Sequence, residues 1–215
     1  GVQNNKNVVT FDGGSTVYGT DGQPRIFSKK PYQPELIIFD TDEELRAPPK
    51  IRKTGNKIAE KHDAIIQGIR KFIKKMPIII GLSGGIDSAL CACLCVQALG
   101  KERVHLYNLP TEYNKEDTKK SAAKVAKNLD IPLISIPIGN IIDAVEEAIC
   151  DDENDIPTDS GYLAKETHAN LQARIRGSGI LATIAQMYKG VFINCGNKVE
   201  LALNYFTLYG DGGGA

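Results

Sequence analysis

The sequence has no surplus of charge. Its 26 basic and 26 acidic side chains give a formal net charge of +0. No long-range field gathers polyanions and no basic run exceeds a few residues, so nucleic acid is not an expected partner. There is no apolar run near the ~20 residues a membrane helix needs. The opening Gly1-Val2-Gln3-Asn4-Asn5-Lys6 lacks the apolar stretch of a signal peptide. No membrane is expected. There is also no Cys-x-x-Cys pair. The five cysteines, Cys91, Cys93, Cys95, Cys150 and Cys195, read neither as a disulfide framework nor as a zinc site. Cys91, Cys93 and Cys95 fall in an apolar helical pattern and are expected to be small buried hydrophobes. A reducing cytoplasm is the expected location. Finally, no Gly-Lys-Ser/Thr is present, which excludes a phosphate loop of the Walker type.

What is present falls into three regions. The 215 residues, 42% of them hydrophobic, suit one domain or one domain plus part of another. Residues 1–45 read as strands with no helix. Thr16-Val17-Tyr18 and Arg25-Ile26-Phe27 flank hairpin-turn chemistry at Thr20-Asp21-Gly22-Gln23-Pro24. Leu36-Ile37-Ile38-Phe39 is a further expected strand. Residues 46–56, with Pro48-Pro49, Lys50, Arg52 and Lys53, read as a linker. From residue 57 apolar positions recur at helical spacing (Ile58, Ile65, Ile66, Ile69, Phe72, Ile73), with Pro77 ending that helix.

Strands and helices then alternate. Expected strands are Ile78-Ile79-Ile80, Val104–Leu109, Leu133–Ile136 and Val191–Asn194. Expected helices are Ala89–Leu99 closed by Gly100, Lys115–Leu129, Ile141–Cys150 and Ala169–Met187. Such alternation predicts right-handed βαβ units, an α/β fold with a doubly wound, Rossmann-like parallel sheet. Ligands bind such sheets at the carboxyl ends of the strands. The chain starts at Gly1, and Gly210-Asp211-Gly212-Gly213-Gly214-Ala215 has no element after it. Both features lead us to expect a piece of something longer.

Gly81-Leu82-Ser83-Gly84-Gly85-Ile86-Asp87-Ser88 connects an expected strand to an expected helix. Two glycines let the backbone turn tightly and approach an anion closely. Successive N–H groups and the positive end of the helix then face that anion. Ser83 and Ser88 add hydroxyls. A carboxylate beside polyphosphate is repelled unless a cation lies between, so Asp87 predicts Mg²⁺. Asn170 and Arg174 are four apart and share a helix face. Arginine grips carboxylate or phosphate with two donors. Arg176 faces away from Arg174 and is read as structural. His62 and His168 are read as incidental, and His105 as core.

Ser83-Gly84-Gly85-Ile86-Asp87-Ser88 resembles the loop of the ATP pyrophosphatases, which have an adenine nucleotide α-hydrolase-like fold. They cut ATP between the α and β phosphates and place AMP on a substrate oxygen. Three further stretches narrow the resemblance. Asn170-Leu171-Gln172-Ala173-Arg174-Ile175-Arg176 is similar to the Asn-x-Gln-Ala-Arg-x-Arg helix of NAD synthetases. Asn194-Cys195-Gly196-Asn197-Lys198-Val199-Glu200 and Thr207-Leu208-Tyr209-Gly210-Asp211 resemble their Asn-Thr-Gly-Asn-Lys-Ser-Glu and Thr-x-Tyr-Gly-Asp segments. Leu109-Pro110-Thr111-Glu112-Tyr113 is similar to their Met-Pro-Ser-x-Tyr loop.

The resemblance implies ATP binding by Gly81 to Ser88 and by Cys195, where the family has Thr. It implies deamido-NAD binding by Asn170, Arg174, Glu200 and Asp211, and Mg²⁺ held by Asp87 and Glu200. These two acidic residues are the candidate catalytic groups. The family is typically homo-oligomeric. Asn7-Val8-Val9-Thr10-Phe11-Asp12-Gly13-Gly14-Ser15 looks like the last part of a nitrilase-type amidase domain, as in glutamine-dependent members. The implied organisation is an amidase remnant over 1–45, a linker over 46–56 and an incomplete synthetase domain over 57–215. The implied reaction is amidation of deamido-NAD to NAD with AMP and pyrophosphate released, the ammonia coming from glutamine. Two alternatives stand beside it: another amide-forming ATP pyrophosphatase such as GMP synthetase, and a non-catalytic adenine-nucleotide-binding module.

Overall fold

The structure, a computed structural model, describes residues 10–29, 31–44, 46–51, 56–112, 114–151, 156, 163–210 and 212–213. The expectations placed on Asn7-Val8-Val9, Tyr113 and Asp211 lie outside the described residues. Its contacts divide the chain into two units, Gly1–Lys74 and Lys75–Ala215.

In the first unit, β1 (Thr16–Tyr18) and β2 (Pro24–Phe27) form the expected antiparallel hairpin, with a bulge between Val17 and Tyr18. Its turn is built by Asp21. Oδ1 accepts the Gln23 N–H at 3.0 Å, and Oδ2 pairs with the Arg25 guanidinium at 2.7 Å. Residues 36–39 are not a strand. Leu36 and Ile38 are 84% and 86% exposed, and no strand among the described residues pairs with them, so the apolar run has no ladder to join. A turn of helix, α1 (Thr41–Glu44), forms instead where none was expected. Asp40 starts it, its Oδ1 accepting the N–H groups of Asp42 and Glu43. The long helix α2 (Lys57–Ile73) begins at Asn56, whose side chain accepts the Ile58 N–H. It stops before Pro77, at Lys74, where φ is +54°. Ile66 and Ile73 are buried, whereas Ile58, Ile65 and Phe72 are exposed.

The second unit is an α/β layer structure. Four strands, β3 (Ile78–Gly81), β4 (Val104–Asn108), β5 (Leu133–Ser135) and β6 (Val191–Phe192), lie in the order β5-β4-β3-β6 and all run parallel. Ile78, Ile79 and Ile80 are wholly buried, as central parallel strands covered on both faces require. Between the strands run α3 (Ile86–Leu99), α4 (Glu116–Asn128) and α5 (Gly139–Ile149). The chain then passes through α6 (Lys165–Arg174), a π-helical segment (Ile175–Leu181) and α7 (Ala182–Met187) to reach β6. The short helix α8 (Lys198–Ala202) follows.

The expected single helix over 169–187 is thus continuous but interrupted by wide turns. Its apolar residues show why. Leu171, Ile175, Ile180 and Ile184 all pack on the core formed by Ile79, Tyr107, Leu109, Ile138 and Ile142. The step from Ile175 to Ile180 is five residues, which a π turn accommodates and an α turn does not. Cys95 is buried as expected, but Cys93 is exposed and Cys91 half-buried. Two residues advance a helix by about 200°, so Cys93 cannot share the core face of Cys91 and Cys95. His105 is half-buried, its ring 4.3 Å from that of Tyr188. No helix among the described residues is long and apolar enough to cross a membrane.

Candidate functional site

Within this sheet the chain moves outward from β3 to β4 and β5 on one side, and to β6 on the other. The change of direction opens a crevice beyond the carboxyl ends of β3 and β6, the usual ligand position in such sheets. A cavity of about 600 Å³ lies there, within the ~300–1,000 Å³ range of small-molecule sites. Its walls bring together segments far apart in sequence: Gly81 to Ser88, Tyr107 to Leu109, Ala173 to Leu181, and Phe192 to Leu201.

The loop after β3 is shaped by two devices. Gly84 has φ +92°, and a Cβ there would stand 2.1 Å from the carbonyl oxygen of Thr118 in α4. Only glycine allows that approach. The two serines brace the turn. Their hydroxyls lie 3.1 Å apart; Ser88 Oγ accepts the Ser83 N–H and Ser83 Oγ accepts the Gly85 N–H. The expected anion-facing hydroxyls therefore also hold the loop itself. Buried Asn108 donates to the carbonyl oxygen of Leu82 at 2.7 Å, tying the loop to β4. Helix α3 starts three residues earlier than expected, so Ile86, Asp87 and Ser88 form its first turn. Gly85 is its N-cap and no side chain among the described residues caps it. The first amides of α3 have no partner within the helix and carry its positive end.

The two candidate metal ligands meet at this cavity. Asp87 lies on the first turn of α3 and Glu200 on α8, and both line it. Glu200 is fixed by a capping box. Asn197 Oδ1 accepts the N–H groups of Val199 and Glu200, and Glu200 Oε2 accepts the Asn197 N–H at 2.8 Å. Gly81, Leu82, Ser83, Gly85, Ser88 and Cys195 also line the cavity. Gly84 and Ile86 stand outside the lining, the first against α4 and the second 78% exposed.

Asn170 and Arg174 also stand outside the lining and are engaged elsewhere. Asn170 Oδ1 accepts the Thr207 hydroxyl at 2.6 Å, and Arg174 Nε donates to the Leu208 carbonyl at 3.3 Å. Ser178 donates to the Tyr209 carbonyl. Together they lay the chain after α8 along this helix, bringing Gly210 and Gly212 to the cavity edge.

Arg176 does line the cavity. Its Nε donates to the Leu109 carbonyl at 3.2 Å and one terminal nitrogen to Gln172 Oε1 at 3.2 Å. Burial lowers its pKa. Its structural bonds are as expected, but its position also puts a cation in the wall. Facing direction on an ideal helix did not reveal this, because the π segment starts one residue before it. His168 pairs with Glu146 at 3.0 Å, away from the cavity walls. Among the described residues no group of three side chains is arranged to hold a metal ion.

The family model for NAD synthase matches residues 58–215. The chain belongs to the NAD synthase family. Its sequence is 36% identical over 213 residues to the glutamine-dependent NAD(+) synthetase of Synechocystis, a match covering 94% of this chain and 36% of that protein. It is 39% identical over 135 residues to the NH(3)-dependent NAD(+) synthetase of Methanococcoides burtonii, covering 63% of this chain and 48% of the relative. Among solved structures, the glutamine-dependent NAD+ synthetase from Acinetobacter baumannii in complex with adenosine diphosphate superposes with a TM-score of 0.80 at 30% identity, over 95% of this chain and 38% of that one. The matches thus cover 36%, 48% and 38% of the lengths of these three proteins, so the chain spans less than half of each.

Proposed function

We propose that this chain carries the ATP-dependent amidation of deamido-NAD to NAD. One observation carries the reading: Asp87 and Glu200 face one cavity whose floor is the uncapped start of α3, at the switch point of a parallel sheet. That is a polyphosphate-binding arrangement with two carboxylates beside it. In this reading the amides of the first turn of α3 at Asp87 and Ser88 hold the β and γ phosphates. The nicotinate carboxylate of deamido-NAD attacks the α phosphorus, pyrophosphate leaves, and ammonia displaces AMP from the acyl-adenylate. The chain contributes position and charge stabilisation, and no protein nucleophile is needed.

The residues fit a magnesium ion. Mg²⁺ favours one or two carboxylates completed by substrate phosphates and water over an all-protein cage, which two cavity-lining carboxylates can supply. Held by Asp87 and Glu200, it would neutralise charge on the departing pyrophosphate. Arg176 lies on the same wall as a fixed cation. Asn170, Arg174, Glu200 and Asp211 are the proposed deamido-NAD-binding residues, and Asn170 and Arg174 also hold the Thr207–Leu208 segment.

Glutamine is the proposed ammonia source, with residues 1–45 as the end of an amidase domain, 46–56 as linker and 57–215 as synthetase domain. The support is the span of the matches: 94% of this chain for the glutamine-dependent relative, 63% for the ammonia-dependent one. A cytoplasmic homo-oligomer acting on small molecules completes the reading. The test is AMP and pyrophosphate formation by the full gene product with ATP, Mg²⁺ and ammonia. Turnover with deamido-NAD is expected. Turnover with xanthylate instead would favour the GMP synthetase alternative, and nucleotide binding without pyrophosphate exchange would leave a binding module.

A further inference from the structure

We propose that Arg176 is a substrate-binding residue: the unpartnered end of its guanidinium, Nη1, donates to an anionic oxygen in the cavity, either a phosphate of the nucleotide or the carboxylate that attacks it. The inference deepens the nucleotide reading given above and rests on it.

Four observations carry it. First, Arg176 is the one cationic side chain among the described residues that line the cavity. Asp87 and Glu200 line it too, and their charge repels a polyphosphate unless cations stand with them. Second, the guanidinium is clamped. Nε donates to the carbonyl oxygen of Leu109, just past the end of β4, at 3.2 Å, and Nη2 donates to Gln172 Oε1, one turn back on α6, at 3.2 Å. Both acceptors are neutral oxygens, so they fix the direction of the fork without cancelling its charge. Third, Nη1 carries two N–H donors and has no protein partner among the described residues. It is also absent from the sealed atoms that lack a partner, so it is open to solvent. Fourth, no carboxylate among the described residues pairs with this cation. Burial lowers its pKa and no acidic neighbour raises it, although Asp87 and Glu200 border the same space.

Arg25 supplies the contrast within the chain. It is 5% exposed, and its guanidinium meets Asp21 at 2.7 Å. A cation withdrawn from water without a counter-ion carries a desolvation cost, and an anion arriving in the cavity offsets it. Arginine often grips such anions with two parallel donors. Here Nε and Nη2 are spent on holding the fork still, so one nitrogen remains for the ligand. The side chain is ordered before the ligand arrives, which lowers the entropy lost on binding.

The test measures binding by calorimetry to the full chain and its Arg176→Gln variant, with ADP, adenosine, deamido-NAD and NAD as probes. ADP and adenosine differ in phosphate; deamido-NAD and NAD differ in the carboxylate. If the anion is a phosphate, the variant should lose ADP affinity by at least about tenfold, the scale of one charge-assisted hydrogen bond, with adenosine unchanged. If it is the carboxylate, deamido-NAD should weaken by the same factor and NAD should not. Either pattern supports the proposal. Equal loss for all four probes marks a purely structural role and overturns it, as does no loss for any. A second measurement needs no variant. Phenylglyoxal modification of the unsubstituted chain, read by peptide mass spectrometry, should reach Arg176, and ADP or deamido-NAD should protect it where adenosine does not. Arg176 left unmodified without ligand, or modified equally with every ligand, overturns the proposal. An unsubstituted chain that binds none of the four probes overturns the nucleotide reading itself, whereas one that binds them as tightly as Arg176→Gln does leaves that reading standing and removes Arg176 alone.

Discussion

Replacing Gly84 with alanine tests how the phosphate loop is made. At φ +92° an L-residue is strained, and the new methyl would stand 2.1 Å from the Thr118 carbonyl oxygen. The loop or the first turn of α4 must move by about 0.9 Å to regain even a 3.0 Å contact, a separation below which real Cβ atoms are essentially never found. The backbone conformation costs about 1–2 kcal/mol, and forcing atoms into a packed site typically costs about 1–3 kcal/mol. Gly84→Ala should therefore destabilise by about 2–5 kcal/mol. Gly100→Ala is the internal reference. Its φ is +87° and ψ 149°, but a Cβ there meets nothing within 4 Å, so only the conformational part applies, about 1–3 kcal/mol. Urea unfolding followed by far-ultraviolet circular dichroism gives both values, and the difference isolates the steric contact. ADP affinity should fall for Gly84→Ala and stay unchanged for Gly100→Ala. If the two variants lose equal stability, the close approach of the loop to α4 is wrong, and with it the account of why glycine is needed there.

Asp87→Ala should abolish pyrophosphate release while only partly weakening nucleotide binding, measured by single-turnover assay and calorimetry; undiminished release would remove Asp87 from the chemistry. Asn108→Leu deletes the donor to the Leu82 carbonyl inside a buried setting. It should cost about 1–3 kcal/mol in the same urea assay and weaken ADP binding. Alkylation of Cys91 by iodoacetamide, read site by site with mass spectrometry, should rise as pH passes about 7, because its pKa is lowered and the thiolate forms above that value. Cys95, pushed up by burial to about 12, should stay unreactive over the same range. Equal profiles would show that the surroundings of Cys91 do not lower its pKa.

Much of this was legible in the sequence because it depends on short-range pattern. The buried run Ile78-Ile79-Ile80, the glycine pair and the helix behind them specify strand, loop and helix without knowledge of the rest. The capping box at Asn197 and Glu200 is equally readable, since an Asn followed three residues later by Glu is a helix-start signal. Other features depend on partners that sequence spacing does not reveal. Leu36 to Phe39 has strand composition, but a strand exists only with a neighbour to bond. Asn170 and Arg174 share a helix face as expected, and what meets that face is the chain at Thr207 and Leu208, over thirty positions away. An ideal 100° per residue puts Arg176 on the side away from Arg174, a rule that the wide turns starting at Ile175 break.

Those wide turns set a phase lock on the long helix. Ahead of them, Leu171 and Ile175 keep step with the core; beyond them, Ile180 and Ile184 do so again after one surplus residue. Removing a single residue between 175 and 181 would let the segment relax to regular winding, but everything on one side would rotate by about 100°. Either Arg176 and Gly177 would swing out of the wall they share with the strand ends, or Leu181 and Ala185 would be turned away from the sheet. The surplus residue is what lets one rod serve two masters, an apolar layer beneath it and a polar chamber at its shoulder.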